Sequence, residues 1–301
     1  MESLMEIRIK RRDFLATATV TGATSAARAA DQSNCGARKR IIVIGATART
    51  ADDLIPQAIW RGFDVIAVAR RPQRVRYQAH PQLRLVKADV YDADAMAAAF
   101  SGKGDEAVVS VFGPRVEPTE EIPDTDLMSK GTENIIALMK KNGNKRLFVT
   151  SSGAVGTIAK LGYTAVTPKP AGLTLETGLW YYTMRGPYID MGRMEKIALA
   201  SGLQSTVLRP EVLIEEPARG DALLAVNESP PRSRFIAYAD FAAFILDNLD
   251  TSTYVGKTVG VYSPREVKFG ENINVNAELK KLHDTMEQVK QDLSADKNKS
   301  P

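Results

Sequence analysis

One junction near the start of the chain constrains the fold more than any other feature. The apolar, largely β-branched run 41–44 ends at Gly45, and a helical pattern begins a few residues later. A strand that turns at glycine into a helix is typical of dinucleotide-binding folds, in which the helix N-terminus receives a pyrophosphate. The usual motif is G-x-G-x-x-G or a close variant, whereas the spaced positions here are Gly45, Ala48 and Ala51. The junction therefore predicts a nucleotide-binding fold with an altered phosphate turn.

Short apolar runs alternate with amphipathic segments from residue 40 onward. The predicted strands are 40–45, 64–69, 83–88, 106–112, 145–151 and 204–208, and the predicted helices are 51–61, 93–101, 126–142, 188–201 and 238–249. Alternating strands and helices form right-handed βαβ units with a parallel sheet. We therefore expect an α/β chain with a Rossmann-type doubly wound parallel sheet, helices on both faces, over residues 38–262.

Composition excludes several classes of function. A net charge of +4 over 301 residues is small, which argues against nucleic acid as the main partner. Cys35 is the one cysteine, so no intramolecular disulfide is possible. His80 and His283 are not in a ligand-like spacing, and we expect no metal site.

The N-terminal 29 residues form a separate unit. Arg11 and Arg12 precede Phe14 and Leu15, an Ala- and Thr-rich apolar run follows, and residues 27–29 have the small-x-small form of a cleavage site. This order resembles a twin-arginine signal peptide, although a chance arginine pair before a flexible arm is the alternative. The apolar run is too short and too polar to span a bilayer. We expect a periplasmic or otherwise exported protein without stable membrane insertion.

Two insertions and a tail interrupt the alternating pattern. Residues 153–187 are rich in glycine and proline, contain Trp180, Tyr181 and Tyr182, and follow the fifth strand. Because open α/β sheets bind ligands at the carboxyl ends of their strands, we expect a substrate-side lid there, completed by a second insertion at 211–234. A pocket formed by these two insertions would suit a small-molecule substrate.

The tail, residues 263–301, predicts a heptad-patterned amphipathic helix. Its apolar residues are spaced 4-3-4-3-4 at Val275, Leu279, Leu282, Met286, Val289 and Leu293. Such a seam either docks on its own domain or joins the chain to a second copy or a protein partner through residues 275–293.

Arginines follow the second predicted strand. Arg70 and Arg71 come at the point where an NAD site usually has an acidic residue, and arginine suits the 2′-phosphate of NADP. The alternative is that both are exposed loop residues. Asp89 and Val90 follow the third strand, where a carboxylate can accept a hydrogen bond from the adenine amino group, and Gly113 follows the fourth.

Several motifs together resemble a known superfamily. Gly-Ala-Thr at 45–47, Arg-Arg-Pro at 70–72, Asp-Val at 89–90, Thr-Ser-Ser-Gly at 150–153 and Leu-Arg-Pro at 208–210 are similar to those of atypical short-chain dehydrogenases/reductases. The NmrA-like and flavin (biliverdin) reductase B-like branches are the most similar. The resemblance implies an NAD(P)-binding Rossmann core, in either an NADPH reductase or a non-catalytic redox sensor. The predicted cofactor-binding residues are Gly45, Thr47, Ala48, Arg49, Thr50, Arg70, Arg71, Asp89, Val90, Gly113, Lys196 and Pro210.

The resemblance also implies catalytic residues. Ser151 or Ser152 would polarise a substrate carbonyl, and Lys196 would fall where the helical lysine of the superfamily binds the nicotinamide ribose. The proton-donating tyrosine expected four residues earlier is Gly192 here. Tyr188 lies eight residues before Lys196, on roughly the same helical face. Its rivals are Tyr181 and Tyr182, and a packing role beside Pro187 is the alternative.

Two functions follow as hypotheses. The first is an exported NAD(P)H-dependent oxidoreductase with tightly held NADP, NAD being the alternative, which transfers hydride to or from a small aromatic or carbonyl substrate. The second is a non-catalytic NAD(P)-binding scaffold or accessory subunit, favoured by the missing glycines and tyrosine. A nucleic-acid regulator of the NmrA kind conflicts with the export signal and the modest charge.

Overall fold

A parallel sheet forms the centre of the computed structural model, which describes residues 39–77, 79–114, 122, 124–172, 179–231 and 234–265. The strands are β1 (Arg40–Ile44), β2 (Asp64–Ala69), β3 (Leu83–Lys87), β4 (Ala107–Ser110), β5 (Arg146–Thr150), β6 (Gln204–Pro210), β7 (Val212–Ile214), β8 (Leu223–Val226), β9 (Phe235–Ala237) and β10 (Lys257–Tyr262). Eight of them pair in the order β3-β2-β1-β4-β5-β6-β10-β8, in which only β8 is antiparallel to its neighbour. β7 and β9 form a separate parallel pair.

Helices cover both faces of the sheet. They are α1 (Arg49–Trp60), α2 (Ala93–Ala97), α3 (Leu127–Asn142), α4 (Ala154–Leu161), α5 (Leu179–Thr183), α6 (Arg185–Ala200) and α7 (Tyr238–Asp247). One apolar cluster joins α1 and α7 to the sheet, and a second joins α2, α3 and α6 to the opposite face. The residues of β1 from 41 to 44 are fully buried, as expected for a strand that is covered on both sides. The predicted Rossmann-type fold is confirmed.

The two predicted insertions contain more regular structure than the sequence indicated. Residues 153–187 include α4 and α5, and residues 211–234 include β7 and β8. Glycines that suggest a loop serve close packing instead: a Cβ added at Gly156 would lie 2.5 Å from Ser229 Oγ. Gly260 lies within β10 and is also closely packed, because a Cβ there would lie 2.9 Å from the backbone nitrogen of Pro230.

The helix predicted at 188–201 begins earlier, at Arg185. Pro187 indicated a boundary, but it occupies the first turn of α6, where the missing N–H would have had no intrahelical partner.

Several predictions concern residues outside the described parts of the chain. They are the signal peptide at 1–29, Cys35, the tail beyond residue 265 with its seam at 275–293, and His283. Among the described helices, none combines the length and the apolar character needed to cross a bilayer.

Candidate functional site

The turn after β1 lies where the strand order reverses direction. From β1 the chain proceeds outward to β2 and β3, and then returns to β4 on the other side. Gly45 has φ of +91°, and a Cβ added there would lie 2.5 Å from the backbone nitrogen of Phe112, just beyond β4. Glycine is therefore required at position 45 for both conformation and space. The switch point of a doubly wound sheet is also where such folds bind their ligands.

The first turn of α1 differs from the helix N-termini beside it. The N-cap residue of α2 is Asp92, whose carboxylate accepts from Ala95 N at 2.9 Å. The N-terminal amides of α3 at Met128 and Ser129 donate to the Asp190 carboxylate of α6. The N-cap residue of α1 is Ala48, whose methyl group cannot accept a hydrogen bond. The N-terminus of α1 therefore suits an external anion such as a pyrophosphate.

The two alanines of the altered motif have different surroundings. Ala51 is 1% exposed and belongs to the apolar cluster between α1 and the sheet, so its methyl group fills the core. Ala48 is half-buried at the turn itself. Only the Ala48 methyl is therefore at the predicted phosphate position, while Thr47 and Arg49 are half-exposed and Thr50 is buried.

A charged crevice adjoins the first turn of α1. Its volume is about 350 Å³, and its charged lining consists of Arg49, Asp52, Asp53, Arg76, Glu215 and Glu216. Arg49 Nη1 lies 4.0 Å from Glu215 Oε1 in the connection between β7 and β8. Burial raises the pKa of both Asp52 and Asp53; Arg76 opposes this rise, and the charge of Glu215 adds to it. Sequence reasoning missed Arg76, although it ends a run of arginines at 70, 71, 74 and 76.

The residues after β2 and β3 meet at the same edge of the sheet. Arg70 Nε lies 3.8 Å from Asp89 Oδ2, so the structure brings these two predicted cofactor residues together. Arg71 is half-buried and directly precedes a single helical turn at Pro72–Arg74. Val90 is buried, and its carbonyl accepts from Asn134 Nδ2 at 2.8 Å. Gly113 is exposed, and a Cβ there would meet nothing within 4 Å, which leaves room at this edge.

The two candidate serines after β5 have different partners. Ser151 is buried, and its hydroxyl donates to Glu195 Oε1 at 2.6 Å. Glu195 also accepts from Arg209 Nε at 2.8 Å and from Arg209 Nη2. Ser152 is half-buried, and its Oγ accepts from Ala154 N at 3.1 Å, which leaves its proton available for donation. Ser152 is therefore the better candidate to polarise a carbonyl.

Sequence reasoning missed the pairing of Glu195 with Arg209. Both are largely shielded, with side-chain exposures of 6% and 16%, and they tie α6 to β6 beside the end of β5. The Leu-Arg-Pro motif at 208–210 pointed to Arg209, but a local pattern does not reveal its partner on another element. Pro210, predicted as a cofactor residue, is buried at the end of β6, and its carbonyl accepts from Gly153 N at 2.9 Å.

The structure does not bring Tyr188 and Lys196 together, and their predicted roles stay predictions. Lys196 is exposed, and the neighbouring Glu195 is the residue of α6 that reaches Ser151. Eight residues of α-helix turn through about 800°, which places Lys196 about 80° from Tyr188, whereas Glu195 is within about 20° of it. Gly192 occupies the position at which the superfamily's tyrosine was expected.

Tyr188 has the surroundings of a packing residue. It is buried in a third apolar cluster with Ala154, Ile158 and Met184, and its Oη accepts from Trp180 Nε1 at 2.7 Å. Burial raises the pKa of Tyr188, and the nearby Tyr181 and Glu211 raise it further. A tyrosine in this environment is poorly matched to proton transfer near neutral pH.

A buried arginine anchors the lid to α6. The Arg185 guanidinium donates to the carbonyl oxygens of Thr164, Ala165 and Tyr182 and lies 4.2 Å from the centre of the Tyr182 ring. Tyr182 is buried and donates to Thr167 O at 3.1 Å, while Tyr181 packs on Tyr188. The lid aromatics that suggested a substrate surface therefore hold the lid together.

Glu211 lies against the beginning of the lid. A Cβ added at Gly153 would be 2.2 Å from Glu211 Oε2, so the glycine makes room for this carboxylate.

Within the described residues, no cluster of three or more His, Cys, Asp or Glu side chains is arranged to hold a metal ion.

Comparison with known proteins identifies the family. The NAD(P)H-binding family matches residues 45–252, which run from the glycine of the first turn to a point just before β10. This chain belongs to the NAD(P)H-binding family. An uncharacterized chloroplastic protein of Arabidopsis thaliana is 26% identical over 204 residues, covering 64% of this chain and 65% of that protein. Anthocyanidin reductase of the same plant is 29% identical over 139 residues, covering 42% and 40%. The chain thus spans less than two thirds of these relatives.

Solved structures share the fold. An anaerobillin reductase from Escherichia coli O157:H7 has a TM-score of 0.59 at 17% identity, covering 76% of this chain and 100% of that one. A short-chain dehydrogenase/reductase from Veillonella parvula, solved with NADP, has a TM-score of 0.57 at 13% identity, covering 78% and 99%. The predicted NAD(P)-binding Rossmann family and the NAD(P) cofactor class are confirmed. The individual cofactor contacts stay predictions.

Proposed function

We propose that this NAD(P)H-binding protein is an NADP-dependent oxidoreductase acting on a small aromatic or carbonyl substrate beneath residues 153–187. The observation that carries the proposal is the first turn of α1, which lies at the switch point of the sheet and lacks the carboxylate cap that α2 and α3 have. Reductases among the relatives and among the proteins of the same fold support this class of reaction.

Each part of the reaction has a candidate in the chain. The amides of the first turn of α1, with Arg49, would hold the pyrophosphate, and Arg70 and Arg71 would hold the 2′-phosphate. When bound, the nicotinamide supplies or accepts the hydride. Ser152 would donate a hydrogen bond to the substrate oxygen, while Glu195 and Arg209 hold Ser151 and the end of β5 in place.

Charge reversal at Arg71 tests the choice of cofactor. We expect Arg71→Glu to weaken NADPH binding at least tenfold and NADH binding by less than threefold, because only NADPH carries the 2′-phosphate. Titration by nucleotide fluorescence measures both dissociation constants. Lys141→Glu is the control, because Lys141 is exposed in the last turn of α3, at the opposite edge of the sheet. Equal losses for the two nucleotides would contradict the 2′-phosphate assignment.

The second candidate is a non-catalytic NAD(P)-binding scaffold. It is favoured by Gly192 in place of the expected tyrosine and by the engagement of the Tyr188 hydroxyl with Trp180. Single-turnover mixing of the NADPH complex with a panel of quinones, flavins and enones separates the two functions. Oxidation of the nicotinamide, slowed at least tenfold by Ser152→Ala, supports the enzyme. Tight nucleotide binding without oxidation by any compound supports the scaffold.

Export and tight retention of the cofactor form part of the same proposal. The twin-arginine pattern at 1–29 favours a periplasmic location, where an exported enzyme would have to carry its nucleotide with it. We also propose that the 275–293 seam joins two copies or binds a protein partner. Native mass spectrometry of protein from its own compartment tests these points, since it reports signal cleavage, bound nucleotide and oligomeric state in one measurement. Uncleaved, empty monomer would contradict all three.

A further inference from the structure

The charge balance around the predicted phosphate turn is unusual for an anion site. Four carboxylates, those of Asp52, Asp53, Glu215 and Glu216, share the crevice beside α1 with two arginines. Burial raises the pKa of Asp52, and the charges of Asp53 and Glu215 raise it further, so the carboxylates act on one another. A phosphate that approached the turn would therefore meet carboxylates as well as arginines.

Arg49 is held towards that crevice. It is the first residue of α1, and its guanidinium lies 4.0 Å from the Glu215 carboxylate. The two side chains are 38% and 52% exposed, so the contact lies at the surface and not in the core. The same guanidinium is predicted to contact a cofactor phosphate at the turn.

Glu216 is adjacent in the chain but differently engaged. Its carboxylate lies 2.8 Å from Arg219 and 3.0 Å from Arg265. Although burial alone would raise the pKa of Glu216, hydrogen bonds from Arg265 and Arg219 hold it below the usual range. Glu216 therefore has its own cations, whereas Glu215 faces the arginine of the phosphate turn.

We infer that Glu215 competes with a cofactor phosphate for Arg49 and thereby weakens the retention of the nucleotide. The inference rests on the proposed NADP-binding function. It assigns to the segment between β7 and β8 a role in cofactor affinity: the Arg49–Glu215 contact must open when the phosphate binds and can re-form when the phosphate leaves. The competing carboxylate lowers the affinity by the modest factor that one half-exposed ion pair can contribute, and the remaining phosphate contacts still hold the nucleotide.

The test compares two substitutions that remove the same charge from the same crevice. Glu215→Gln should tighten NADPH binding about two- to fivefold, the range expected when one half-exposed ion pair stops competing. Glu216→Gln should change the dissociation constant by less than half as much, because its partners are Arg219 and Arg265. Isothermal titration of the full-length chain with NADPH measures both, with the off-rate followed by displacement.

A double-mutant cycle then separates competition from general electrostatics. Arg49→Gln should weaken NADPH binding, and Glu215→Gln should have no further effect in that background. The benefit of Glu215→Gln should also shrink at high salt, since both side chains are half-exposed. Equal effects of Glu215→Gln and Glu216→Gln, or weaker binding by Glu215→Gln, would overturn the inference while leaving the proposed function intact. Absence of any NADPH binding by the wild-type chain would overturn both.

Discussion

Gly45 is the residue on which the site depends most directly. It combines a left-handed φ of +91° with a distance of 2.5 Å between its absent Cβ and the Phe112 backbone nitrogen. The left-handed backbone conformation is unfavourable for residues that have a Cβ, and the short distance to Phe112 leaves no space for one. The turns after β1 and β4 can therefore lie side by side only with glycine at this position.

Substitution by alanine separates these two requirements. Gly45→Ala should lower the free energy of unfolding by roughly 3 kcal/mol, because strain and a clash with backbone atoms add together. Gly62→Ala should lower it by only about 1 kcal/mol, since Gly62 has φ of +86° but open space around its Cβ position. Urea denaturation followed by circular dichroism measures both variants. Equal losses would show that the contact with Phe112 is unimportant.

Several site residues differ from their sequence neighbours in environment. Ser151 and Ser152 are indistinguishable as letters, yet one donates to a buried carboxylate and the other keeps its proton available. Glu195 is buried beside exposed Lys196 because a helix turns about 100° per residue, so adjacent residues face different surroundings. The resemblance implied a role for Lys196 at the nicotinamide ribose, which stays a prediction, and gave no indication that Glu195 contacts Ser151.

At the scale of elements, α6 connects the start of α3 to residues 153–187. Its Asp190 carboxylate is fully buried and accepts from Met128 N at 2.6 Å, from Ser129 N at 3.2 Å, and from Ser129 Oγ. Towards its N-terminus, Arg185 holds the lid through backbone carbonyls. The position of α6 therefore determines both which of its residues reaches Ser151 and where residues 153–187 are anchored.

Removal of the Asp190 carboxylate should destabilise this arrangement. We expect Asp190→Ala to lower the free energy of unfolding by about 2–4 kcal/mol, because the amides that start α3 lose their buried acceptor. Asp190→Asn should cost less, since its amide oxygen still accepts. Ser129→Ala serves as a milder control at about 1 kcal/mol, because both backbone donors keep the carboxylate. If thermal and chemical unfolding show Asp190→Ala no more destabilised than this control, the link between α6 and α3 is not a major source of stability.

For the whole molecule, cofactor binding and folding are linked. β1 and β4 meet at the switch point, and α1 packs through its apolar face on the same sheet. A ligand that binds only the folded chain stabilises it by mass action. Nucleotide added to protein from which bound nucleotide has been removed therefore makes this linkage measurable.

Added NADPH should raise the thermal unfolding midpoint of the whole chain. At a hundred times its dissociation constant, the stabilisation is about 2.7 kcal/mol, or roughly 5–10 °C for a domain of this size. NADH at the same concentration should raise the midpoint less, because it lacks the 2′-phosphate. Differential scanning calorimetry provides the measurement. A midpoint unmoved by either nucleotide, in protein shown to be free of nucleotide beforehand, would contradict reversible NADP binding.

The α/β architecture and the NAD(P) cofactor class were predictable from the sequence and are confirmed, whereas the phosphate turn after β1 stays a prediction. These depend on local signals: β-branched runs, helical periodicity and a glycine between them. The tertiary structure shows that Ser152 Oγ accepts from Ala154 N and keeps its proton for donation. The packing of the elements also shows that Ser151 donates to Glu195 and that Arg49 lies beside Glu215. Such contacts join residues from different elements, for example Ser151 and Glu195 at a separation of 44 positions. Their partners are set by how helices and strands pack, which no short pattern records.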